Sequence, residues 1–70
     1  MELIKAQMAG TVYEVHVNVG DSVMKGKTVI VLESMKMEIP HDASLGGKVS
    51  KVFVTEGDFV EEDELLVELS

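Results

Sequence analysis

Seventy residues with a net charge of −7 and no cysteine make one small domain, too short to enclose an enzyme active site of ordinary size and lacking thiols for disulfides or a thiolate metal site. Six lysines and six acids balance over residues 1–55, whereas residues 56–70 carry seven acids and no base, a surface that repels nucleic-acid backbones and anionic lipid. No run of about 18 apolar residues and no apolar signal segment occurs, which predicts a soluble, cytoplasmic monomer with no nucleic-acid or membrane partner.

In chain order, the sequence predicts eight short strands over 2–7, 10–17, 22–24, 28–34, 37–42, 46–54, 59–61 and 64–69. Val, Thr and Ile dominate these segments, and no apolar stripe of period 3.6 runs long enough for a helix. Sliding the chain by 37 residues places Gly10 on Gly47, Val12 on Val49, Val15 on Val52 and Val17 on Val54; Gly20-Asp21 then falls on Gly57-Asp58, Val23 on Val60 and Leu32 on Leu69. The single domain 1–70 therefore reads as two half-repeats, about 8–34 and 45–70. Two copies are too few for a solenoid. The valine spacing of three and then two, repeated in both halves, predicts a β-bulge at the same place in each. Gly20, Gly57 and Gly46-Gly47 mark turns that need positive φ. An all-β, flattened antiparallel barrel of two four-stranded sheets with pseudo-two-fold symmetry follows, because closure removes most exposed edges. Its core candidates are Val12, Val15, Val17, Val23, Val29, Val31, Ile39, Val49, Val52, Val54, Val60 and Leu66.

Few residues carry chemistry. His16 and His41 have no cysteine or close second ligand and read as structural or surface residues, so no metal site is expected. The run Glu61-Glu62-Asp63-Glu64 lacks the alternating ligand spacing of a calcium loop and reads as a solvated turn. Ser34 has no partners for a catalytic triad, and the glycines form neither GxGxxG nor a P-loop. The residue to explain is Lys36, which has 35 residues before it and 34 after, inside Glu33-Ser34-Met35-Lys36-Met37-Glu38. It falls where one strand reverses into the next. Tight hairpins prefer Asn-Gly or Asp-Gly, so Met35-Lys36 is kept for something other than turn stability. Two methionines form an adaptable apolar collar for a partner. Met-Lys-Met alone is weak evidence, since methionines are more often gap-fillers and surface lysines merely solvated. Its place between matching halves, in a chain with no other catalytic group, gives it weight.

This tract resembles the Ala/Ser-Met-Lys-Met biotinylation motif of the biotinyl domain, or biotin carboxyl carrier, family, whose relatives are the lipoyl domains. The Gly-Asp turns and strand spacing extend the resemblance over the whole chain, which is closest in kind to small stand-alone biotin/lipoyl attachment proteins. Ser34 stands where most members carry Ala. Only Asn18 and Val19 separate Val17 from Gly20, so the thumb insertion of some bacterial carriers is absent, and no Pro/Ala-rich linker precedes Glu2, which favours a free-standing carrier. The resemblance implies a barrel-sandwich hybrid with the lysine hairpin at one end and the termini near the other. It implies a non-catalytic carrier with biotin covalently attached to Lys36, shuttling carboxybiotin from a biotin carboxylase to a carboxyltransferase. An ordinary exposed lysine is protonated near neutral pH and is a poor nucleophile unaided, so a biotin protein ligase must supply an activated acyl group. Met35, Met37, Glu33, Ser34 and Glu38 are the candidate ligase-recognition residues. Lipoyl domains typically carry Asp-Lys-Ala around the lysine. A lipoyl carrier, or a dual acceptor served also by a lipoate ligase, is the alternative, and an unmodified interaction module is the third.

Overall fold

The computed structural model describes residues 1–70. It contains eight strands and no helix: β1 (Glu2–Lys5), β2 (Gly10–Val15), β3 (Ser22–Val23), β4 (Thr28–Ser34), β5 (Met37–Asp42), β6 (Gly47–Val52), β7 (Phe59–Val60) and β8 (Leu65–Leu69). They form two four-stranded antiparallel sheets, ordered β1-β8-β6-β3 and β5-β4-β2-β7. The eight strands match those expected from sequence. Several stop one or two residues early, because residues 16–17 and 53–54 leave the ladder to enter the Gly20 and Gly57 turns.

The 37-residue offset relates the sheets strand for strand. It carries β1 to β5, β2 to β6, β3 to β7 and β4 to β8, and so converts one sheet order into the other. β1 and β5 lie outside the half-repeats 8–34 and 45–70 read from sequence. They share positions rather than residues: Ile4 corresponds to His41, and only just past the strands does identity return, with Ala6 on Ala43. Both bulges are present, with register shifts between Val12 and Glu14 in β2 and between Val49 and Lys51 in β6. Each bends its strand around the core.

The turns that follow are also built alike. Gly20 and Gly57 have φ of 97° and 96°, in the left-handed region that a β-carbon disfavours. The Asn18 N–H donates to Asp21 Oδ2 at 2.9 Å, and the Thr55 N–H to Asp58 Oδ2 at 2.9 Å. A carboxylate thus closes each turn from within.

Fifteen buried side chains fill the interior, among them Ile4, Val12, Val29, Ile30, Leu32, Val49, Val60, Leu66, Val67 and Leu69. Each such burial contributes about 1.5–3 kcal/mol. Val12, Val17, Val23, Val29, Val49, Val54, Val60 and Leu66 sit in this core as expected, with Val15 and Val52 packed against it. Two expectations need correction. Ile39 is only half-buried, since it lies on an edge strand near the turn of the hairpin, where the barrel tapers into the exposed tip. Val31 is buried but stands outside the core cluster. A register shift between Thr28 and Ile30 turns Val29, Ile30 and Leu32 inward and leaves Val31 on the outer face.

Two side chains latch the loops after β1 and β5. The partly buried Glu2 carboxylate accepts the Ser44, Leu45 and Gly46 N–H groups at 2.7, 3.0 and 3.3 Å. Burial pushes its pKa up, but these three donors outweigh it and hold the carboxyl below its usual value. His41 is buried, with its Nδ1–H donating to the Ile39 carbonyl at 3.1 Å and its Nε2 accepting the Gln7 N–H at 2.9 Å. That arrangement requires the neutral ring. Glu2 pairs with Leu69, so the two termini adjoin each other in the sheet that does not carry Lys36.

Candidate functional site: a lysine at a two-residue hairpin

β4 and β5 pair from Thr28–Asp42 down to Ser34–Met37, which leaves only Met35 and Lys36 in the turn. Both have positive φ, 53° and 66°. Two successive left-handed residues match the twist of the flanking strands, which is why such turns favour Asn-Gly. Side chains with a β-carbon pay about 1–2 kcal/mol per residue for this conformation. The hairpin therefore holds Met and Lys in a geometry that neither prefers, and the long β4–β5 ladder behind it supplies the constraint.

The side chains splay into solvent. Met35 is 84% exposed and Met37 65% exposed, and Lys36 is exposed as well. Glu33 and Glu38 are exposed and face each other directly across the strands, a like-charge pair that weakens the ladder. Neither reaches Lys36: the one carboxylate contact to a basic side chain is the hydrogen bond between His16 Nε2 and Glu14 Oε1 at 2.8 Å. The Lys36 amine is unpartnered. Ser34 is half-buried at the hairpin base. The structure therefore brings all six sequence candidates together, five on the exposed tip and flank and Ser34 beneath them.

Two further residues matter here: Gly10, known from the sequence only as the match of Gly47, and His41, whose structural reading the buried ring bears out. A β-carbon on Gly10 would lie 2.7 Å from the Glu33 carbonyl oxygen and 3.3 Å from Ser34 Cβ, so glycine is what lets β2 press against the hairpin base. The match of Gly10 to Gly47 was the signal, because a Cβ on Gly47 would likewise meet the Ser70 carbonyl oxygen at 2.5 Å. His41 anchors the loop that leads into Gly10 through the Gln7 N–H. A long-range contact of this kind leaves no trace in local sequence.

Chemically, the tip offers one free amine and little else. No group of three or more His, Cys, Asp or Glu side chains is placed to hold a metal ion. The widest groove, between Val15, Val17 and Val19 on one half and Val52, Val54 and Thr55 on the other, includes no hairpin residue. An amine standing clear of any pocket suits a group joined covalently and carried outward, and the donor set fits an amide-linked acyl group.

Residues 2–69 match the family described as biotin-requiring enzyme, the biotin/lipoyl family. The chain belongs to this family. Over 67 residues it is 52% identical to the biotin/lipoyl attachment protein of Bacillus subtilis strain 168, covering 96% of this chain and 92% of that one. Over 69 residues it is 44% identical to the biotinylated protein TB7.3 homolog of Mycobacterium leprae, covering 99% and 97%. Both of these biotin/lipoyl-family relatives are spanned almost whole. Among solved structures, the urea carboxylase of Kluyveromyces lactis superposes with a TM-score of 0.87 at 36% identity, covering 94% of this chain and 6% of that one. Similar domains thus also occur inside far longer carboxylases.

Proposed function

We propose that this protein is a covalent biotin carrier, with Lys36 as the attachment residue. The observation that carries the reading is the Met35-Lys36 turn: an unpartnered amine held out on two left-handed residues, in a chain of the biotin/lipoyl family. The protein itself is not an enzyme. Bound biotin supplies a ureido nitrogen that can accept and release a carboxyl group, and the protein supplies tethering, which raises its effective concentration at two separate sites.

Attachment requires a biotin protein ligase. The deprotonated Lys36 Nζ attacks the carbonyl carbon of adenylated biotin; the C–N amide bond forms, the bond to the phosphate oxygen breaks, AMP leaves, and the amine proton passes to solvent. The ligase reads Met35 and Met37, whose exposed thioether chains adapt to an apolar surface, together with the unneutralised Glu33 and Glu38. Ser34, half-buried and paired with Met37, is the remaining residue of this recognition set. The carrier's further partners are a biotin carboxylase and a carboxyltransferase. It acts as a monomer in the cytoplasm, where ATP supports the ligase; gel filtration and cell fractionation test those two points.

The name of the Bacillus subtilis relative covers both biotin and lipoyl attachment, and this supports dual modification at Lys36 as the second reading, with a lipoate ligase as the added partner. Intact-mass analysis after co-expression with each ligase distinguishes a biotinyl adduct, a lipoyl adduct and the unmodified interaction module. Lys36→Arg should lose labelling entirely while retaining the wild-type unfolding curve. Substantial labelling of that variant would show that another of the six lysines is the acceptor.

A further inference from the structure

The 37-residue symmetry supplies an internal control for the surface: the outward residues of β2 and β7 on the lysine-bearing sheet have counterparts in β6 and β3 on the other, in the same backbone setting. A single exposed aromatic needs no explanation, but a difference between matched positions does. On the lysine-bearing sheet, Tyr13 and Phe59 are 47% and 63% exposed. Their counterparts are Ser50 and Ser22. Val31 on the outer face corresponds to Glu68, which accepts the Ser50 hydroxyl at 2.8 Å. Charge differs as well: exposed Glu14 corresponds to exposed Lys51, and the neutral, exposed Thr11 to exposed Lys48.

These residues form a continuous surface. Phe59 pairs with Thr11, Thr11 with Glu33, and Glu33 with Glu38, a row of four strands that ends one residue from the turn. Tyr13 is the extra residue of the β2 bulge, beside the Glu14–Val31 pair. At strand spacings of about 4.8 Å, Phe59 lies roughly 10 Å from Glu33. Two aromatic side chains flanked by carboxylates therefore share the hairpin's face; the other sheet's exposed aromatic, Phe53 at 45%, follows the end of β6, and the positions matched to Tyr13 and Phe59 carry serine.

We propose that this face, anchored by Tyr13 and Phe59, is the docking surface for the biotin protein ligase, which meets it with an apolar patch rimmed by basic side chains. The inference rests on the carrier reading. An enzyme acting on the far end of an attached arm can work at a distance from the carrier. The ligase instead acts on the bare lysine and must bring its own active site to bonding distance of Lys36 Nζ, so it has to seat on the surface adjoining the turn. Aromatic anchors supply most of the energy of such contacts, and the carboxylate rim sets orientation and approach.

Steady-state biotinylation with the purified ligase of the same organism, biotin and ATP, at varied carrier concentration, tests this. Tyr13→Ser with Phe59→Ser installs the residues the other sheet already tolerates. It should raise the KM for the carrier about tenfold, with kcat within about twofold and the unfolding midpoint retained. Leu3→Ser, on the outer face of the other sheet, should leave KM unchanged, while Glu14→Lys should raise it several-fold and weaken its salt dependence. An unchanged KM in the double variant, or an equal rise with Leu3→Ser, overturns the proposal. If the double variant unfolds, Glu14→Lys decides alone, and an unchanged KM overturns it. A wild-type chain that takes up no biotin overturns the carrier reading and this inference with it, whereas uptake with unaltered KM in the variants overturns only the docking face.

Discussion

The turns at Gly20 and Gly57 and the turn at Lys36 face the same steric problem and solve it differently. All three need positive φ. The first two use glycine, at 97° and 96°, and an aspartate that caps the turn; the third forces Met35 and Lys36 to 53° and 66° and sets Glu33 against Glu38 behind them. Where the halves agree, the residues are those a stable barrel requires. At the tip that joins the halves, local stability has been set aside around one amine. The same contrast appears on a smaller scale at Asp63, which takes a φ of 69° where the other half has Gly26 at 89°.

Substitutions at these matched sites can break the comparison. Gly20→Val and Gly57→Val meet no atom within 4 Å at the new β-carbon, so backbone strain alone should destabilise each by about 2 kcal/mol. Denaturant unfolding should return similar losses, and a large inequality would deny that the turns are equivalent. Replacing Met35 by Asn together with Lys36 by Gly should act in the opposite direction. The double variant should gain about 1–2 kcal/mol and accept no biotin; a loss of stability would mean that the hairpin is not strained.

His41 breaks the symmetry inside the core, where its counterpart is Ile4. Burial holds the imidazole below the usual 6.5, with the Ile39 carbonyl and the Asp42 charge partly opposing. Below pH 6.5 the unfolded chain takes up a proton that the folded one refuses. Stability should therefore be complete above that pH and fall as the pH is lowered toward the folded-state value, no more steeply than about 1.4 kcal/mol per unit. Thermal melts between pH 5 and 7.5 can follow this. His41→Ile should flatten that window at the cost of a free Gln7 N–H, and an equally steep variant would place the titration elsewhere. The smallest effect belongs to Asp63→Gly, which should stabilise by about 0.5–1 kcal/mol if Asp63 and Gly26 are equivalent.

Most of the barrel was legible because its signals are local. Valine alternation located the strands, the three-then-two spacing located both bulges, and Gly-Asp located the turns. β4 was misread in part because Thr28-Val29-Ile30-Val31-Leu32 is apolar throughout; alternation alone chose Val29 and Val31, and the register shift that turns Ile30 and Leu32 inward is not written in composition. Ala6 and Ala43 are buried but too small to announce themselves. At the site, the exposed lysine and its methionines could be read from the sequence, whereas Gly10, Glu2 and His41 act through contacts more than 20 residues away. The left-handed pair at the tip was visible only as a mismatch between residue type and turn.

The two-residue turn also bears on cleavage by trypsin. Lys36 is exposed, and its peptide bond to Met37 has the chemistry that trypsin seeks. A serine protease must draw several residues on each side of the bond into an extended strand, yet Ser34 and Met37 are already paired with each other and Met35 and Lys36 curl left-handed between them. Cleavage there has to wait for β4 and β5 to separate, which makes it a measure of partial unfolding rather than of exposure. The lysine most open to a ligase is thereby shielded from a protease that recognises the same side chain.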